Sequence, residues 1–214
     1  QQVGTNCGLV GKNAAVEVDG VAYWMSENGF FRYTGKLESL ACLVEDYVYD
    51  DINTVPKNHI YAGLNNLFGE VTWFYPGSGA ASNNRSVTYN YMDSTLERPI
   101  WTTSSLARST WSDSHIFGKP HATEYDSSAT SDATVGNTDG VTIYYEHETG
   151  TNQIKAGATT GIAASIQSGD FDIGQQGALM GAGNDGEYMM KIRRVIPDFL
   201  QQTGSARVTL NLKN

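Results

Sequence analysis

The chain has 214 residues, enough for one large domain or two small ones, and can bury about 70% of its unfolded surface without a covalent staple. It is 40% hydrophobic, 11% aromatic and only 17% charged, with a net charge of −9, the wrong sign for a protein that grips phosphate backbones. Cys7 and Cys42 make neither a disulfide framework nor a four-ligand metal site, and no apolar run approaches the ~18 residues of a membrane helix.

Twelve Tyr, with many Thr, Ser and Gly, favour sheet over helix. Residues 1–13 are Gly-rich and polar, and read as a lead-in. Residues 14–18 and 21–25 flank Asp19-Gly20, a pair that supplies the positive φ angles of a type I′ turn and so predicts a hairpin. A second turn at 26–29 feeds Phe30-Phe31-Arg32-Tyr33, completing a three-stranded meander. The stretch 37–52 changes character. Val44, Tyr47, Val48 and Asp51 recur at helical spacing, which predicts one short helix near residues 40–52, closed by the Asn53-Thr54-Val55-Pro56 turn.

The clearest element comes next. Val71, Trp73 and Tyr75 alternate with Thr72 and Phe74, and Val87, Tyr89 and Tyr91 alternate with Thr88 and Asn90. Period-two spacing of β-branched and aromatic residues predicts a hairpin, with Trp73 buried on the face shared by Val71 and Tyr75. Between its strands, residues 77–84 have the small, polar make-up of a flexible loop. Short strands follow at 100–102 and 109–111. A polar surface loop spans 126–140, and further strands are predicted at 141–145, 162–166, 171–173, 188–196 and 207–212. The alternation up to Leu212 and the start at Gln1 suggest a fragment of a longer chain.

Gly20-Val21-Ala22-Tyr23-Trp24, Gly69-Glu70-Val71-Thr72-Trp73-Phe74 and Gly140-Val141-Thr142-Ile143-Tyr144-Tyr145 echo one another. Their spacings are unequal (69 − 20 = 49; 140 − 69 = 71). The fold class is all-β: antiparallel β-propeller-like or sandwich sheets with one short helix. Residues 1–160 form the propeller-like portion, and 161–214 a C-terminal strand segment that completes or caps the sheets.

No residue emerges as catalytic, cofactor-binding or metal-binding, and the chain reads as a non-enzyme. His59, His115, His121 and His147 lack ligand spacing. Glu45, Asp46, Asp50 and Asp51 read as a solvated helix face rather than a cation site. No nucleophile elbow or phosphate-cradling loop occurs. Trp24, Trp73, Trp101 and Trp111 suit sheet packing better than a sugar-stacking platform.

Several strings, in order, carry a resemblance. They are the one beginning Asp46-Tyr47-Val48-Tyr49, the Glu70-to-Pro76 strand, Asn84-Arg85-Ser86-Val87-Thr88-Tyr89-Asn90-Tyr91, Tyr145-Glu146-His147-Glu148-Thr149-Gly150, Ser168-Gly169-Asp170-Phe171-Asp172-Ile173-Gly174 and Arg193-Arg194-Val195-Ile196-Pro197-Asp198. Over roughly residues 8–200 the chain resembles the tail hub, or nozzle, proteins of short-tailed bacteriophages, also called packaged-DNA stabilisation proteins. The stretch Leu96-Glu97-Arg98-Pro99 departs from the family pattern and leaves the strand pairing there open.

The resemblance implies a virion structural protein with propeller-containing subunits, made in the host cytoplasm. Copies of it form a ring, usually of six, below the portal and adaptor proteins. The ring carries fibres or spikes outside, and genomic DNA passes through it without specific binding. The family supplies no catalytic residues and no cofactor. Ring contacts are expected from the loops at 77–85 and 126–140 and from Lys191-Ile192-Arg193-Arg194, which could face the six acids between Glu124 and Glu148. The rival classes are a carbohydrate-binding or depolymerase domain of a phage tail, marked by exposed aromatics beside paired carboxylates, and an interaction module outside any virus.

Overall fold

Asp19 and Gly20 adopt φ of 52° and 80°, both in the left-handed region that their turn requires. They join β1 (Ala15–Val18) to β2 (Val21–Ser26), which pairs with β3 (Gly29–Tyr33) and then β4 (Leu37–Leu40), all antiparallel. The computed structural model describes residues 4–95, 97–114, 116–126, 140–155, 158–162, 165, 192–194, 196 and 207–210. The chain divides into two compact units, 1–162 and 163–214.

Strand β4 falls where the sequence begins to change character, and it makes the first meander four-stranded. Its place is set by cross-strand partners: Arg32 faces Glu38, with Nε donating to Oε2 at 2.7 Å, and Leu40 lies buried opposite Phe30. The helix α1 (Glu45–Asp51) follows inside the predicted interval. Val48 is its buried anchor, whereas Tyr47, which shares the predicted apolar face, points out to solvent. Tyr49 does the inward work instead. Its hydroxyl accepts from Gly29 N and lies against Ser26 O, tying the helix to the β2–β3 turn.

A second four-stranded meander contains β5 (Tyr61–Asn65), β6 (Glu70–Tyr75), β7 (Arg85–Asn90) and β8 (Trp101–Ser104). The predicted hairpin forms in register, with Val71 opposite Tyr89 and Trp73 opposite Val87. The open pairing after Tyr91 resolves with Trp101 opposite Tyr89. A third meander contains β9 (Thr110–Ser112), β10 (His121–Asp126) and β11 (Val141–Glu146), and β12 (Asn152–Lys155) with β13 (Ala158–Gly161) makes a hairpin. Strand accounts for 44% of the described residues and helix for 7%, so the fold is all-β.

The three meanders repeat almost regularly. Their second strands begin at 21, 70 and 121, at intervals of 49 and 51 (70 − 21; 121 − 70). The echo around Gly140 sits on β11, a third strand, and that is why matching it with Gly20 and Gly69 produces unequal spacings. Trp24 and Trp73 occupy the same place in successive repeats, and each indole donates to a backbone carbonyl lying beyond its own sheet: Trp24 to Cys7 O at 2.7 Å, Trp73 to Ala14 O at 3.0 Å.

First strands adjoin, β1 against β5 and β5 against β9, and a parallel bridge joins Asn13 to Tyr61. The first and second meanders enclose a common core. Tyr23, Met25 and Phe30 come from one side, Val71, Trp73, Val87 and Tyr89 from the other, with the Phe30 and Trp73 rings 5.0 Å apart. Phe74 lies on the opposite face of β6, its ring 5.5 Å from that of Trp111 in the third meander. Strand β6 is therefore buried on both faces, and the second meander is the middle layer. Pairwise the sheets pack face to face as in a sandwich, while first strand beside first strand is the serial order of propeller blades. Among the described residues no sheet closes into a barrel.

Of the loop predicted at 126–140, only Asp126 and Gly140 are described. The strands predicted at 162–166, 171–173, 188–196 and 207–212 lie outside the described residues, save for 162, 165, 192–194, 196 and 207–210, none of which is in a strand.

Candidate interaction surfaces

Residues 77–84 are not the free loop that their composition suggests. The Asp51 carboxylate at the end of α1 accepts from Arg85 Nε at 3.1 Å and from Ser78 N at 3.3 Å. Asn53 Nδ2 donates to Ala80 O, and His59 Nδ1 lies 2.9 Å from Ala81 O. Asn83 is buried, and its Nδ2 donates to both His59 O and Arg108 O. Small polar residues serve here because close backbone approaches need side chains that bond locally. The surface left for a partner is narrow, chiefly Ser78, Gly79 and Ala81. Asp51, read as part of a solvated face, is instead the anchor of this loop, while Asp46 and Asp50 are exposed.

A second polar assembly went unread in the sequence. Arg108, 4% exposed, donates from Nη1 to Glu124 Oε2 at 3.2 Å and from Nε to His147 Nε2 at 2.9 Å. Its guanidinium sits 3.9 Å from the Tyr145 ring centroid. Since Arg is always charged and can only donate, His147 Nε2 must be the acceptor, which leaves the ring neutral with its proton on Nδ1. Burial, then the Arg108 and His121 charges, push the His147 pKa down to about 4. A buried ion pair of this kind locks geometry more than it adds stability. It ties the approach to β9, the middle of β10 and the end of β11 together.

Beside the first two meanders a cavity of about 240 Å³ is lined by Arg32, Ser39, Leu40, Tyr89, Thr95 and Pro99. Among the described residues that line it the one cation, Arg32, is already paired with Glu38 at 2.7 Å, so these residues offer no uncommitted charge to an anion.

The remaining residues singled out in the sequence do not converge. His121 faces outward on β10 and His115 lies outside the described residues. Among the described residues no group of three or more His, Cys, Asp or Glu is arranged to hold a metal. Cys7 and Cys42 are free thiols, and burial raises the Cys42 pKa to about 12. Trp101 and Trp111 donate their indole N–H to Ala41 O and Leu64 O. With Trp24 and Trp73 they are thus packing residues, as expected. Of the basic cluster, Arg193 and Arg194 are exposed and Lys191 lies outside the described residues. No helix among the described residues is long and apolar enough to cross a membrane. No protein-family model matches the sequence, and no curated protein does either.

Proposed function

We propose that this chain is a structural subunit of a phage tail hub or nozzle. Copies of it form a ring, of six by the resemblance, that continues the DNA channel, retains the packaged genome and supports its ejection. The observation that carries the reading is the series of antiparallel meanders repeating at intervals of 49 and 51 residues with first strands adjoining, the blade-like order that the sequence resemblance implies. A wall of sheets packed on a shared aromatic core is stiff, and a net charge of −9 lets a polyanion slide where a basic wall would hold it.

On this reading the ring meets portal and adaptor proteins above and fibres or spikes outside, and the subunit's place is the virion. Its work is mechanical, with no catalytic group and no cofactor. A closed ring requires heterologous contacts repeated about one axis. Electron microscopy of the native particle tests the reading. Density for this chain as a ring on the tail axis is the expected result, and placement on the capsid shell or out along a fibre overturns it.

A further inference from the structure

The outward face of the third meander is made of hydroxyl, aromatic and charged side chains. Ala122 pairs with Trp111 and Tyr145 on the side turned toward the second meander. Strand alternation therefore sends Thr110 and Ser112 of β9, His121, Thr123 and Tyr125 of β10, and Thr142, Tyr144 and Glu146 of β11 to the other side. None of the eight is aliphatic. The interface between the first two meanders reads differently, with Met25 and Leu40 of the first and Val71 and Val87 of the second buried in it. The second meander turns a face of similar make-up, with Tyr61, Thr72, Phe74, Ser86 and Thr88, toward the third, and there Phe74 is fully buried; on the third meander's outward face the Tyr125 and Tyr144 rings stay exposed.

The rings on this face form a row. Phe117, in the turn before β10, meets His121 edge-on with centroids 4.8 Å apart, and His121 stacks on Tyr144 at 5.4 Å and 25°. The Tyr144 hydroxyl also hydrogen-bonds His121 Nδ1. Phe117 and Tyr144 are 62% and 64% exposed, so the row is held in place and yet open to solvent. Along its edge lies an ordered polar rim. Lys119 Nζ donates to Thr149 Oγ1 at 2.7 Å and lies 3.6 Å from Glu146 Oε1, to which Thr149 Oγ1 donates at 3.0 Å. On the other side Thr110 and Thr123 share a hydrogen bond of 2.7 Å.

We propose that this face binds a neutral carbohydrate chain, with Phe117, His121 and Tyr144 as the stacking platform and the Lys119–Glu146–Thr149 rim and neighbouring threonines as hydroxyl partners. Sugar rings are apolar on their C–H faces and polar around their edges, the combination that the platform and rim reproduce. Aromatic rings supply apolar area with little conformational freedom to lose, and these three are already held by one another. Hydroxyls both donate and accept, as sugar hydroxyls do. Glu146 on the face and the net charge of −9 select against sulphated or uronic chains. Glu146 is the one carboxylate among the eight, so the proposal is binding without hydrolysis. It stands apart from the tail-hub reading and holds or fails without it.

The test is an array of immobilised neutral oligosaccharides probed with the whole protein, followed by NMR titration with each glycan that is retained. Retention of at least one glycan is expected, with Kd rising about tenfold in Tyr144→Ala and in Phe117→Ala and staying within about threefold of the parent in Tyr144→Phe. Circular dichroism checks that the variants fold, and Phe117, outside the strands, serves if Tyr144→Ala does not. No retention on the array, or retention indifferent to both alanine variants, overturns the proposal. So does sedimentation showing that the face joins two copies of the chain, with self-association lost in Tyr144→Ala.

Discussion

The second meander makes two interfaces, one on each face, and they are built by opposite means. Toward the first meander the contact is a continuous aromatic cluster in which the Trp73 ring lies 5.0 Å from Phe30 and 6.1 Å from Trp101. Toward the third it is a wedge and a lock. Trp111 lies against Gly63 and Phe74, and behind it the buried Arg108 holds Glu124 and His147. Identical sheet order is thus compatible with area-driven and with geometry-driven assembly. The first form rests on buried apolar area rather than on the protonation of any one group. The second depends on protonation and on each partner being present.

The largest effect is expected at the aromatic interface. Trp73→Ala removes a fully buried indole and leaves a cavity, a loss of about 3–5 kcal/mol in urea unfolding. A loss below about 1 kcal/mol would mean that the two sheets do not share this core. On the other side, Arg108→Met removes the buried guanidinium that Glu124 and His147 face and is expected to cost about 3 kcal/mol. Hydrogen exchange should show the third meander opening while β2 and β3 stay protected, and uniform loss of protection would erase the distinction between the interfaces.

Gly63→Ala probes the wedge. A Cβ there would come within 2.6 Å of Trp111 Cγ, so the two sheets must separate slightly, at about 1–3 kcal/mol. An unchanged melting temperature would show that Trp111 does not seat as described. Acid gives the gentlest perturbation. His147 has a folded pKa near 4, below its ordinary value of about 6.5, so the unfolded chain binds the extra proton first. The contribution of this group is complete above about pH 6.5 and is lost as pH falls toward 4. Allowing for solvent screening of a partly accessible ring, the loss is ~1–2 kcal/mol. His147→Gln should flatten stability across that pH window, and an unaltered profile would remove His147 from the lock.

Much of the architecture is legible locally. The Asp19-Gly20 turn, the alternation over residues 71–75 and 87–91, the burial of Trp73 and the helix near 45–51 all follow from patterns within a few residues, since turn dihedrals and side-chain periodicity are local properties. Strand β10 was not legible, because its inward side carries Ala122, Glu124 and Asp126, and a buried glutamate reads as surface until its arginine, 16 residues away, is in place. The regular repeat was hidden for a related reason: the aromatic signature marks the second strand of two meanders and the third strand of the other.

What the sequence by itself determined was an all-β chain, its strongest hairpins and turns, and the face on which the largest indole is buried. What only the tertiary structure decided was which polar residues lie inside, that the loop at 77–84 is held by Asp51, Asn53 and His59, and that the aromatic row of the third meander faces solvent. Apolar burial leaves a local period because each strand must turn one side to the core. A buried charge or a pinned loop leaves none, since its stability comes from partners that adjoin it only once the sheets are stacked.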